Sequence, residues 1–471
     1  MRIRVGTALV AAAAILGPLA GSASAAPVFK SVDGLQVVSQ RSLDSRLIAL
    51  TVKTSALPGP ANIRILLPTG YAQHPHKRYP VFYLLHGTSG GASDWTTMGG
   101  AEQTTAGLPL IVVMPDIALG DDGGGWCTNW PDGKYHWLTF HIDQLVPWVQ
   151  ANLRTLNSRG ERAIAGLSQG GFCSMSYASQ FPDLFGVALA YSGAPDIAWD
   201  PVAHAGAQGI INATEVGLDG VPPNSMFGSP QTDFINWADH DPATLAPNLR
   251  WTKLYMYFGN GLPGPYDTNP VNPGAEAIES LVNTDNIYFE GRLKSLGIKP
   301  VVYDPYGPGT HSWPYWARDL RWSIGDIMGD FAHPAPNPAS FSYESGMTSY
   351  TIYGWQVTMH RKVVEFSTIS QTGTTAFSLA GSGSGTVTTP AVYKRHVRYR
   401  VTIRSKTGTV TRTLETGAGR TLTITVPLGP SDTVQEYTDA QPPSASPGTT
   451  VYTTHVTLAK LAPTRTHHGR R

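Results

Sequence analysis

From about residue 28 to 331 two patterns of apolar and polar residues alternate. Short, nearly continuous apolar runs occur at Val81–Leu85 (VFYLL), Leu110–Met114 (LIVVM), Arg162–Ala165 (RAIA), Val187–Tyr191 (VALAY), Lys253–Phe258 (KLYMYF) and Pro300–Tyr303 (PVVY). Strands buried on both faces of a sheet read this way, because neither side needs polar residues. Between them, helical spacing runs over Trp137–Leu153, Gly170–Gln180, Ala275–Val282 and Tyr315–Phe331. Strands alternating with helices imply a mostly parallel sheet flanked by helices, an α/β architecture. The stretch 196–250, with Pro, Asn and Asp throughout, reads as an insertion. The segment 332-AHPAPNPAS-340 holds three prolines and continues neither a helix nor a central strand, so it reads as a linker. Beyond it the period changes to two, as in 349-SYTIYGWQVTMH and 397-VRYRVTIRS, the pattern of an all-β, sandwich-like unit. The expected organisation is an α/β domain over 27–331, a linker over 332–340, a β-sandwich-like accessory domain over 341–462 and a frayed tail over 463–471.

The first residues, MRIRVGTALVAAAAILGPLAGSASAAP, change the picture by adding a compartment. Arg2 and Arg4 precede an apolar run, and Ala23-Ser24-Ala25 supplies a small-x-small cleavage pattern. Residues 1–25 therefore read as a signal peptide, and the mature chain is expected outside the cell, free or associated with the cell wall. No other stretch is apolar over enough residues to span a bilayer. The two cysteines, Cys127 and Cys173, can pair in such a compartment. A core this large would not depend on that bond. The net charge of +1 and the absence of a basic patch argue against a nucleic-acid partner. No cluster of His, Asp and Cys has ligand spacing, so neither a metal nor a cofactor is expected.

The strongest chemical signal is 162-RAIAGLSQGGF-172. Gly166-x-Ser168-x-Gly170 follows an apolar strand and precedes a helical pattern, the context of a nucleophile elbow and of the α/β-hydrolase fold. The turn is sharp, and side chains two residues either side of the serine would strike the neighbouring strand and helix. The backbone N–H of Gln169 becomes one oxyanion donor. A second donor should come from the loop after an earlier strand, and 80-PVFYLLHGTSGGASDW-95 fits, with Thr88 as the donor. His86 would then shape the pocket, and His136 and Trp137 line the cleft.

In this fold the acid and then the histidine follow the serine along the chain. His204 and His240 lie in the insertion. His311, in 305-PYGPGTHSWPYW-316, follows the last apolar run through a short Gly/Pro loop, where its Nε2 reaches a serine hydroxyl. The acid should follow KLYMYF. Candidates are Asp267, Glu276, Glu279, Asp285 and Asp304, and position alone favours Asp267.

The blocks 257-YFGNG-261, 276-EAIESLVNTDNIYF-289 and 309-GTHSWPYW-316, with GLSQGG and 135-YHWLTFHIDQLVPWVQ-150, resemble the secreted mycolyltransferases of the antigen-85 type. That family sits in the esterase D-like superfamily, with the S-formylglutathione hydrolases. The resemblance covers about residues 34–330. It implies that the acid is a glutamate on the helix before the N-x-x-F segment, which is Glu279 here, and that Ser312 contacts the acyl group or the acid. Trp313 would help wall the acyl pocket. Where the mycolyltransferases carry Asp and Arg to hold trehalose, this chain has His86 and Ser89.

These readings converge on a secreted serine hydrolase or acyltransferase that works through an acyl-enzyme. Its substrate would be an acyl ester, a lipid or an acylated sugar. One alternative is a carbohydrate or lipid esterase whose β domain binds cell-wall polysaccharide. Another is a catalytically silent cell-wall binding protein. Trp126, Trp130 and Trp355 would stack on sugars if exposed and fill cores if buried.

Overall fold

The computed structural model describes residues 27–120, 122–268, 270–437, 446 and 448–462. The expected signal segment, 1–25, and the tail, 463–471, lie outside the described residues.

The first part is built on a nine-stranded sheet in the order β1-β2-β3-β5-β4-β6-β7-β8-β9. Its strands are β1 (Gln36–Ser42), β2 (Leu47–Lys53), β3 (Ala61–Leu66), β4 (Val81–Leu85), β5 (Ile111–Pro115), β6 (Arg162–Leu167), β7 (Val187–Tyr191), β8 (Lys253–Phe258) and β9 (Val302–Pro305). Strands β5 to β9 and β4 pair in parallel, and β4, β5, β6 and β7 are buried along their whole length. Alternate side chains of β4 serve opposite faces. Tyr83 and Leu85 join the core that holds Trp148 and Phe172, whereas Phe82 and Leu84 join the one that holds Trp316 and Leu320.

Sequence patterning missed the other side of the sheet. Strands β1, β2 and β3 pair antiparallel and dock on β5 antiparallel, so the sheet is mixed. One side of this wing faces solvent, and polar residues such as Asn62 and Arg64 interrupt its apolar ones. The insertion is also more ordered than its composition suggested. It contains the helices Pro201–Gly217 and Phe234–His240. Asp200 caps the first, its carboxylate accepting from Val202 N and Ala203 N, and Pro201 opens it. The pattern read at Ala275–Val282 extends to a helix over Pro273–Ser295, and the stretch before Leu153 opens with a π-helical turn, Thr139–Leu145, before Val146–Asn152.

The C-terminal part forms a six-stranded and a four-stranded sheet, every pair antiparallel, among the described residues. Ile352, Val357 and Val426 from one sheet meet Phe377, Val401 and Val456 from the other in one core, consistent with a sandwich. Trp130 and Trp355 are only 3% and 5% exposed, so they fill cores rather than offer sugar platforms.

The two parts are joined by directional bonds. Tyr343 Oη donates to Gln180 O (2.7 Å), Asn248 exchanges two bonds with the Glu344 backbone (2.9 Å each), and Gly346 N donates to Asp239 (2.7 Å). Gln180 ends the helix Gln169–Gln180, whose N-terminus follows Ser168. At 1.5 Å per residue that helix separates the docking contact from the serine by about 18 Å.

Candidate active site

Ser168 stands between β6 and the helix Gln169–Gln180 with φ 52° and ψ −123°. A non-glycine residue in the left-handed region is strained by about 1–3 kcal/mol, and such strain persists only where the surroundings enforce it. Here the glycines do so. A Cβ on Gly166 would lie 2.2 Å from Gly170 O, one on Gly170 2.2 Å from His86 O, and one on Gly171 2.7 Å from Gly193 Cα. Strand, elbow and helix thus touch backbone to backbone. The Thr88 and Gln169 N–H groups have no backbone or side-chain acceptor among the described residues, and both residues line the same cavity as Ser168.

His311 follows β9 and precedes the helix Trp313–Ala332. Its Nδ1 lies 2.6 Å from Glu279 Oε2. The other carboxylate oxygen accepts from Ser192 Oγ (2.8 Å) and Gly259 N (2.6 Å), and Glu279 is 0% exposed. A carboxylate held on both oxygens cannot swing away, so it fixes the ring's orientation and keeps Nε2 as the free nitrogen. That Nε2 is buried and makes no hydrogen bond among the described residues. Backbone contact ties the two elements together, since His311 N donates to Ala275 O (3.2 Å) on the helix carrying Glu279. Asp267, the acid favoured by position, is engaged elsewhere. It accepts from Gly264 N (2.7 Å), Tyr315 Oη (2.8 Å) and Thr310 Oγ1, and braces the loop beside the histidine.

Ser168 and His311 open into a cavity of about 730 Å³. Its walls are mainly apolar: Trp126, Ile210, Leu218, Ile278, Val282 and Trp316. Trp313 and Ser312 also line it, and Asp94 is the only carboxylate lining it among the described residues.

Three residues expected in this pocket lie elsewhere. His86 is 1% exposed and sits behind the wall. Its Nδ1 donates to Gly87 O (2.7 Å) while Nε2 accepts from Ile117 N (2.8 Å), and burial lowers its pKa. A neutral ring with both nitrogens committed cannot act as a base. Trp137 is buried beside Tyr135 and His141, and the pocket does not include His136, whose N–H donates to Ala56 O (2.9 Å). The reason is the turn at Gly125, where a Cβ would lie 1.6 Å from Trp137 Cδ1, so the backbone closes over the indole.

The sequence reading also missed contributors. Ile210, Ala213 and Thr214 project from the helix Pro201–Gly217 onto the pocket, and their i, i+3, i+4 spacing was the available signal. Ile278 and Val282, spaced i, i+4 and flanking Glu279, were legible in the same way. Ser192 and Gly259 had no such signal, since long-range register alone brings them to Glu279. Cys127 and Cys173 form a disulfide that ties the loop holding Trp126 to the helix after Ser168.

An esterase of Mycobacterium tuberculosis is 31% identical over 287 residues, 59% of this chain and 58% of that protein. The chain therefore spans a little over half the length of that relative. The MPT51/MPB51 antigen of Mycobacterium bovis is 31% identical over 290 residues, 58% of this chain and 86% of that one. The crystal structure of Mycobacterium tuberculosis MPT51 matches 60% of this chain and 97% of its own at 28% identity, with a TM-score of 0.48. A family model described as "Esterase: Putative esterase" matches residues 54–326, more than half of the 471 residues, and the chain belongs to that esterase family.

Proposed function

We propose that the protein is a secreted serine esterase or acyltransferase of the α/β-hydrolase fold. In this reading residues 27–331 are the catalytic domain, 332–340 the linker and 341–462 a sandwich-like accessory domain. Ser168 Oγ attacks the ester carbonyl. His311 Nε2 takes the proton and returns it to the leaving alcohol, while Glu279 orients the ring and stabilises the imidazolium. The N–H groups of Thr88 and Gln169 hold the oxyanion. Water or an acceptor hydroxyl then resolves the acyl-enzyme. The observation that carries the reading is the buried, partnerless Nε2 of a histidine fixed by Glu279, facing the same apolar cavity as a strained serine. The cavity's walls suit the acyl part of a lipid or acylated-sugar ester. The test is turnover of p-nitrophenyl esters by the wild type and by Ser168→Ala. Loss of turnover in the variant supports the reading, and unchanged turnover rejects it. Product analysis with and without a sugar acceptor then separates hydrolysis from transfer.

A further inference from the structure

Loop Gly123–Cys127 (GGGWC) contacts both the Thr88–Ser89 loop and the start of the helix after Ser168, although it contributes none of the proposed catalytic groups. The carbonyl of Gly123 accepts from Ser89 N (3.2 Å), next to the donor Thr88. The Gln169 amide, oriented so that its nitrogen faces an acceptor and its oxygen faces donors, donates to the same carbonyl (3.3 Å), and Gln169 is the residue of the other donor. One oxygen atom therefore connects both halves of the oxyanion site. The Gln169 amide oxygen in turn accepts from Trp126 N (2.9 Å) and Nε1 (3.2 Å). From above, Gly123 N donates to Asp219 Oδ1 (2.6 Å), at the end of the helix that roofs the pocket.

The loop is held in a costly conformation. Trp126 and Cys127 are adjacent non-glycine residues with φ of 46° and 55°, both left-handed. Something must enforce such a pair. The disulfide Cys127–Cys173 does so, and Cys173 lies on the helix that begins immediately after Ser168. The glycines provide the close approach. A Cβ on Gly123 would lie 2.2 Å from Thr214 Cγ2, and one on Gly124 2.3 Å from the terminal amide of Gln169.

We propose that this disulfide-anchored loop is a positioning element of the oxyanion site. The Gly123 carbonyl sets the distance between the two N–H donors, and the Cys127–Cys173 bond holds that carbonyl in place. The inference rests on the serine-esterase reading and gives the disulfide a task in the reaction rather than in the core. Oxyanion contacts strengthen in the transition state, so loosening them lowers kcat and leaves KM nearly alone.

The experiment compares the paired substitution Cys127→Ser/Cys173→Ser with Gln169→Leu, which cuts the amide ties and keeps the disulfide. Val401→Ala, in the C-terminal core, serves as a control for lost stability alone. Steady-state kinetics are measured well below each variant's Tm. We expect kcat to fall about tenfold or more in each of the first two, by analogy with loss of an oxyanion contact. KM should stay within about twofold, and inhibition by a boronic acid transition-state analogue should weaken in proportion to kcat/KM. Combining the two should cost less than the product of the separate effects, since both act through one loop. Val401→Ala should lower Tm and leave kcat and KM at wild-type values. If the disulfide variant only loses Tm, the loop is a structural staple and the proposal fails. If KM rises with kcat intact, the loop is a pocket wall and the proposal also fails. Ser168→Ala, assayed in parallel, reports separately on the esterase reading.

Discussion

At the scale of single residues, the environment of Glu279 is the most informative. It faces His311 with one oxygen and is held by two donors on the other. Glu279→Gln keeps the shape but offers an amide where the ring needs an acceptor. Its kcat should fall by about 10⁴-fold, and His311→Ala by roughly 10⁴- to 10⁶-fold, measured with a soluble ester. Asp267→Asn is the contrasting case. It loosens a bracing loop, so about 1 kcal/mol of stability should go, seen in chemical denaturation, while the rate stays close to wild type. The serine and the histidine stood out in the sequence because each sits in a local motif with its own turn chemistry. The proposed acid did not, because several carboxylates follow β8 and only register along the helix Pro273–Ser295 selects among them. Family likeness pointed to Glu279. Its holders, Ser192 and Gly259, lie just past the ends of β7 and β8, and no local spacing in the sequence pairs them with Glu279.

At the scale of elements, legibility followed burial. β4, β7 and β8 were read with the bounds they have in the structure, since uninterrupted apolar runs have few other interpretations. The half-exposed wing β1–β3 was not read, nor was the helix Pro201–Gly217, whose apolar face is short and shared between core and pocket. That helix is pressed on the loop below at Gly123, where no side chain fits. Gly123→Ala should therefore lift the roof, with a loss of about 1–3 kcal/mol in denaturant unfolding and an altered preference for acyl length. Gly170→Ala is more severe, because its Cβ would meet backbone rather than a flexible side chain. Little folded protein should be recovered, and circular dichroism would check this.

At the scale of the whole molecule, buried acids give the fold a pH dependence unrelated to catalysis. Asp196, Asp241 and Asp285 are buried close together. Burial first, then mutual repulsion, pushes Asp285 well above its usual range and Asp196 up to about 8. A carboxyl with a raised folded-state pKa favours the protonated fold. Its full contribution is present below the unfolded pKa, about 3.9, and is lost as pH climbs toward the folded value. Asp285→Asn removes that loss, so its Tm should exceed the wild type's by a margin that grows from pH 4 to pH 8. A constant margin across that range would count against the buried-charge explanation. Between the two parts, Asp239 accepts from Gly346 N and burial pushes it up to about 7.

Everything proposed about chemistry depends on Ser168 being a nucleophile activated by His311. The most direct measurement is intact and peptide mass after reaction with a fluorophosphonate, on the wild type, Ser168→Ala and His311→Ala. The expected result is one adduct per chain, located on the peptide holding Ser168, absent from Ser168→Ala and strongly slowed in His311→Ala. Labelling that persists in Ser168→Ala, or a wild type that never labels while it turns over esters, would contradict the account.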